Sequence, residues 1–111
     1  MVYTRSNLKS ESEETVKGEF HMMYPYMTLP DDTEIVHSEM KSDGRVKVYI
    51  ETPDEKDGFH HTVCWLPEFD WSDTVGYSEA EMEHWRSLIL KNAPLIMEFS
   101  TKGGILNAAI D

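Results

Sequence analysis

Two short turn segments constrain the fold of this sequence more than any other feature. Residues 41–44, Lys-Ser-Asp-Gly, and residues 53–58, which end in Asp-Gly, separate three segments rich in β-branched and aromatic residues. The three segments are residues 34–40, 45–51 and 59–66. In the middle segment Val46, Val48 and Ile50 alternate with charged or amphipathic residues, which is the period of a half-buried strand. Because connections this short join antiparallel neighbours, the sequence predicts an antiparallel β-meander.

A capping box predicts a helix that begins at Glu79. Ser78 can accept a hydrogen bond from the backbone N–H three residues later, and Glu81 can reach back to Ser78. The apolar residues that follow have the spacing of one helix face; they are Trp85, Leu88, Ile89, Leu95, Ile96 and Phe99. Pro94 lies within this stripe, so either one helix kinks there or two helices meet.

These elements predict one α+β domain, with the helix packed across one face of a three- or four-stranded antiparallel sheet. Residues 18–29 bring many large apolar side chains, and Pro25 restricts any strand there to a sheet edge. Residues 1–17 are polar and are predicted to be a mobile tail, which leaves residues 18–111 for the domain. The predicted core is Val46, Val48, Ile50, Val63, Trp85, Leu88, Ile89, Ile96 and Phe99.

Negative charge is concentrated in the middle of the chain. The sequence has 21 acidic and 10 basic residues, and residues 48–85 alone hold ten acidic residues and one basic residue. This excess disfavours binding to nucleic acid through its phosphates. In a three-stranded meander the acidic turn at 54–57 lies at one end of the sheet, while residues 68–73 and the start of the helix lie at the other. That separation, roughly 20 Å along a strand, disfavours an acidic decoy that mimics nucleic acid.

His60, His61 and Cys64 are the residues most suggestive of metal binding or catalysis. On a strand His60 and Cys64 share one face and His61 takes the other, so at most two ligands converge. A catalytic thiol needs electropositive surroundings, whereas Cys64 lies in the acidic third of the chain. We therefore expect no metal and no cofactor. A metal- or thiol-dependent enzyme centred on these three residues is the less favoured alternative.

Surplus apolar residues carry the functional prediction. Phe69 and Trp71 stand among acidic residues, where they either fold back onto the sheet or anchor a protein partner. Leu90 and Met97 belong to a second apolar flank of the helix. The sequence thus predicts a small acidic protein-interaction or regulatory module that binds a protein, or a second copy of itself, through these four residues.

The sequence also bears on the compartment. It has one cysteine and a polar amino terminus, which together predict a cytoplasmic location. Its apolar runs are far shorter than the roughly 20 residues of a membrane span, so we expect no association with a membrane.

Overall fold

The computed structural model describes residues 22–102, which form five strands and one helix. The elements are β1 (Met23–Thr28), β2 (Glu34–Ser38), β3 (Val46–Asp54), β4 (Gly58–Leu66), β5 (Asp70–Val75) and α1 (Glu79–Ser100). The predicted α+β class is confirmed, with five strands in place of three or four. The predicted tail at residues 1–17 lies outside the described residues.

The sheet is a meander in which each strand pairs antiparallel with the strand before it, in the order β1-β2-β3-β4-β5. The alternation that predicted β3 is confirmed, because Val46, Val48 and Ile50 are all fully buried. Their neighbours Lys47 and Tyr49 are half-buried on the other face. Period two therefore identified both the central strand and the face that it buries.

Residues 18–29 do supply a further strand, since β1 pairs with β2 at the sheet edge. Pro25 is tolerated there because an edge strand has one side without ladder partners. A register shift between Pro25 and Met27 lets both Tyr26 and Met27 pack against the core.

The predicted loop at residues 68–73 is wrong in its second half, because Asp70–Val75 forms β5. This strand carries almost no apolar alternation, since every residue in it except Trp71 is exposed. Trp71 pairs with Cys64 and packs against the core, whereas Phe69 and Asp73 adopt positive φ angles of 60° and 53°. Without alternating apolar residues, the sequence of this exposed edge strand cannot be distinguished from that of a loop.

One continuous helix follows, and its predicted capping box is confirmed. Ser78 Oγ accepts from the backbone N–H of Glu81, and the Glu81 carboxylate accepts from the backbone N–H of Ser78. Pro94 lies inside α1 and does not divide it. Pro94 has no backbone N–H, so the carbonyl of Leu90 has no intrahelical hydrogen-bond donor. Both residues are exposed. Water can therefore satisfy that carbonyl.

The core lies between α1 and one face of the sheet. Its buried members are Ile35, Val46, Val48, Ile50, Cys64, Leu66, Met82, Trp85, Ile89 and Ile96. Of the other predicted core residues, Leu88 and Phe99 are half-buried. Val63 is buried but alternates with Cys64 and so belongs to the opposite face. Leu95, predicted for the buried stripe, is 48% exposed.

The extra strand changes where the helix begins. β4 runs away from the β3–β4 turn, and β5 returns until Val75 stands opposite His61. Tyr77 then hydrogen-bonds Thr52 near the end of β3, and α1 starts beside it. The prediction that the helix starts at the same end of the sheet as a loop at residues 68–73 is therefore wrong, because one additional strand reverses the chain.

Candidate functional site

The reversal gathers most of the acidic side chains at one end of the molecule. We call this the acidic end; it comprises the β1–β2 turn, the β3–β4 turn, the strand residues next to them and the first two turns of α1. Its ten carboxylates are those of Asp31, Asp32, Glu34, Glu51, Asp54, Glu55, Asp57, Glu79, Glu81 and Glu83. The basic residues in the same segments are Lys56 and Arg86. Three segments far apart in the sequence thus bring ten carboxylates to one end of the molecule.

Tyr77 shows that these segments act on one another. Burial raises the pKa of the Tyr77 phenol to about 12, and the charges of Glu81, Asp31 and Glu51 add to the increase. The Tyr77 hydroxyl is 2.7 Å from Thr52 Oγ1, which is 2.6 Å from Thr33 Oγ1. A chain of three hydroxyls therefore ties β2, β3 and the start of α1 together beneath the carboxylates.

At the opposite end Arg45 and Lys102 pair with three acidic side chains. Arg45 Nε donates to Glu68 Oε1 at 3.1 Å, and its Nη2 lies 3.6 Å from Asp70 Oδ2. The same guanidinium stacks over the Trp65 ring at 4.7 Å. Lys102 and Glu98 form an i,i+4 ion pair at 3.8 Å. The residues about the β2–β3 and β4–β5 turns therefore bear little net charge.

His60 joins two carboxylates of the β3–β4 turn. Its Nε2 is 3.0 Å from Asp57 Oδ2 and 3.8 Å from Asp54 Oδ1. The three residues bring one ligand atom each within 4.8 Å of one another, which suits an ion pair with protonated histidine or a divalent cation. Asp54 Oδ2 already accepts from the backbone N–H groups of Lys56 and Asp57, as in an ordinary turn.

Sequence patterns do not predict this cluster, because Asp54 and Asp57 are typical turn residues and His60 stands close to His61 and Cys64 in the sequence. The structure separates those three. His61 stacks on Tyr49 with 5.8 Å between ring centroids, whereas Cys64 is buried in the core. Burial, with the charge of Asp70, raises the pKa of the Cys64 thiol to about 12. At neutral pH the thiol is protonated and packs as a small apolar side chain.

The four residues predicted to bind a partner are placed differently from one another. Phe69, Trp71 and Met97 are half-buried and pack against the same core cluster. Leu90, seven residues before Met97 and hence on the same side of α1, is 62% exposed. Binding of a partner through these residues stays a prediction, with Leu90 the most accessible of them.

A groove of about 530 Å³ opens at the acidic end, between the β1–β2 turn and the first turns of α1. It is lined by Leu29, Pro30, Asp31, Ala80, Glu81, His84 and Trp85. Trp85 is only 5% exposed, and its indole Nε1 has no hydrogen-bond partner among the described residues. Sequence patterns did not predict the groove, because the β1–β2 turn and the start of α1 come together only when β5 returns the chain to that end of the sheet.

Comparisons of the chain with protein-family models, with curated proteins and with solved structures found no match. Within residues 22–102, no helix combines the length and the apolar character needed to cross a membrane. A function must therefore be argued from the geometry of the acidic end.

Proposed function

We propose that this protein is a small cytoplasmic protein-interaction module whose acidic end binds a basic segment of a partner protein. One observation carries the proposal: ten carboxylates from three chain segments share this end with two basic residues. Arg86 pairs with Glu79 and Glu83, which leaves an excess of negative charge at this end. An excess of charge of one sign attracts an oppositely charged partner and orients it on approach. The neutralised opposite end adds to that orientation.

The acidic end also bears on self-association. A second copy presents the same charge, so pairing of two acidic ends is opposed by repulsion. A homodimer would have to use another surface, such as the side of α1 that carries the exposed Leu90. The two modes of interaction occupy different parts of the molecule and do not exclude each other.

A nucleic-acid mimic is a second candidate, because most of the acidic side chains lie at one end of the molecule instead of being divided between two. In that case the basic partner is itself a nucleic-acid-binding protein. Competition distinguishes the candidates: a decoy is displaced from its partner by duplex DNA or RNA at matched ionic strength, whereas a dedicated interaction module is not.

The proposal is tested by measuring the binding of a fluorescent 12-residue peptide of alternating Arg and Ala by anisotropy at two salt concentrations. The triple variant Glu34→Gln, Glu55→Gln, Glu79→Gln removes three exposed charges from the acidic end. We expect about tenfold weaker binding, which corresponds to about 1.4 kcal/mol. The salt dependence should also become smaller, because three fewer charges attract the peptide.

The matched control removes the same charge from elsewhere, as Glu39→Gln, Glu68→Gln, Glu98→Gln. All three residues are exposed. Both sets contain ion-paired residues, since Glu79 pairs with Arg86 in the first set and Glu68 and Glu98 pair with Arg45 and Lys102 in the second. We expect less than a twofold change in affinity. If both triple variants weaken binding equally, net charge alone attracts the peptide and the acidic end is not a binding surface.

A further inference from the structure

We infer that the groove between the β1–β2 turn and α1 is the specific seat within the acidic end, and that it holds one basic side chain of the partner segment. The inference rests on the proposed function and adds to it the residues that recognise the ligand. Three independent properties of the groove support it: its lining, its two carboxylates and the buried indole beside it.

The lining suits a side chain with an aliphatic stem. Leu29, Pro30 and Ala80 contribute apolar surface, and the Trp85 ring lies next to them. Lysine and arginine bury their methylene stems against such surfaces while their charged heads stay at the rim. An uncharged apolar side chain would fill the same space but leave the charge of the rim unused.

The charge that such a head requires is already in place. Asp31 and Glu81 stand on opposite walls of the groove. Asp31 Oδ1 accepts from the backbone N–H of Thr33 at 3.0 Å, and Glu81 Oε1 accepts from that of Ser78 at 2.7 Å. Because backbone groups hold both carboxylates, little side-chain freedom is lost when a cation binds.

The Trp85 indole N–H offers a hydrogen bond to the backbone of the bound segment, in addition to the carboxylates that attract its charged side chain. Its N–H is buried without an acceptor among the described residues, and a buried donor that lacks an acceptor is rare in folded proteins. The exposed His84 ring packs against the Trp85 ring with 4.8 Å between centroids. Because Trp85 also lines the groove, a backbone carbonyl of the bound segment is the acceptor assigned to its indole N–H.

The test follows the indole N–H signals of the ¹⁵N-labelled full-length protein during titration with the peptide acetyl-Gly-Ala-Arg-Ala-Gly-amide. Trp65→Phe, Trp71→Phe and Trp85→Phe assign the three signals. We expect the Trp85 signal to shift and saturate, while the Trp65 and Trp71 signals move less than about a fifth as far. The same peptide with citrulline in place of arginine keeps the shape but not the charge and should leave all three signals unmoved.

Two variants remove charge from the groove without removing the contacts that hold its walls. Asp31→Asn still accepts from Thr33, and Glu81→Gln retains the capping box. Each should weaken peptide binding at least about fivefold. Asp43→Asn is the matched control, because Asp43 Oδ1 accepts from the backbone N–H of Arg45 in the same way at the opposite end. It should change binding less than about twofold.

The outcomes separate this inference from the proposed function. If the 12-residue peptide depends on the acidic end but Trp85 does not respond and the groove variants bind normally, the groove is not the seat and the proposed function stands. If neither peptide binds, both are wrong. If the citrulline peptide shifts the Trp85 signal as far as the arginine peptide does, recognition of charge in the groove is disproved.

Discussion

The two ends of the sheet contain similar residues but use them differently. At the end that holds the β2–β3 and β4–β5 turns, Arg45 and Lys102 pair with nearby carboxylates. At the acidic end the charges outnumber their partners, and the structure beneath them is held by neutral contacts among Tyr77, Thr52 and Thr33. Arg86 and His60 pair with four of the acidic residues, yet the acidic end keeps an excess of negative charge. The comparison teaches that neutral contacts can hold this end in shape while the excess charge acts on a partner.

Gly76→Ala is the substitution that should destabilise the packing at the acidic end most strongly. Gly76 has a φ of +92°, and an added Cβ would lie 2.2 Å from His60 Cδ2. The strained backbone and the displaced ring should together cost about 3 kcal/mol, measured as the free energy of unfolding in urea. Gly44→Ala is the control at the opposite end, because Gly44 has a φ of +85° but nothing within 4 Å. It should cost about 1 kcal/mol, for backbone strain alone.

A double variant separates the two contributions to the Gly76 effect. In a His60→Ala background the ring is absent, so Gly76→Ala should cost little more than Gly44→Ala does. An undiminished cost in that background would mean that the His60 ring does not define the packing at the acidic end.

Mild acid should destabilise the protein through a buried histidine that lies away from the acidic end. His37 in β2 is fully buried against the rings of Tyr24 and Tyr26 of β1, with Nδ1 2.8 Å from the Ser38 carbonyl oxygen. Burial lowers the pKa of His37 below its ordinary value of 6.5. The folded protein therefore resists a proton that the unfolded chain accepts. This contribution to stability is complete above about pH 6.5 and is lost as the pH falls below it, by up to about 1.4 kcal/mol per pH unit.

Urea unfolding at a series of pH values between 8 and 5 tests this sign. His37→Gln removes the titrating ring and should flatten the slope below pH 6.5, whatever its effect on stability at pH 8. Asp31, whose pKa is lowered by hydrogen bonds from Thr33, adds a further loss only below its ordinary value of 3.8, and that loss is smaller because its carboxylate is exposed to solvent. A wild-type stability that stays level between pH 6.5 and 5 would contradict the assignment to His37.

Tyr77→Phe should have the smallest of these effects and sharpen the comparison. It removes one hydroxyl from the chain of three and should cost about 1 kcal/mol of unfolding free energy, typical of a buried neutral hydrogen bond. Tyr26→Phe is the control, since the Tyr26 hydroxyl donates to Asn92 Oδ1 at 2.6 Å and the second hydrogen bond of Asn92, to the Leu88 carbonyl, stays within α1. We expect the Tyr77 variant to lose more, because its partner Thr52 belongs to a network. A larger loss for Tyr26→Phe would show that the network adds nothing.

Much of the fold could be predicted from local patterns. Alternation identified β3 and its buried face, and the capping box located the first residue of α1. Both signals come from residues within one turn or one strand, so they need no knowledge of the rest of the chain.

The candidate site could not be predicted in this way, and the reason lies in β5. Apart from Trp71, this exposed edge strand has no buried residue to mark it. Missing it placed the start of α1 at the wrong end and divided the acidic residues into two groups. When a prediction omits one strand of a meander, it places every later element at the opposite end of the sheet.

The strand order also determines when the groove comes into existence. Each hairpin joins neighbours in sequence and closes over a short loop, which costs little entropy. The helix must instead return across the sheet, and the Tyr26–Asn92 hydrogen bond links residues 66 positions apart. Contacts between distant residues generally form late in folding. A chain with a completed sheet and an undocked helix thus carries every acidic residue but no groove, so binding at the groove would report that folding is complete.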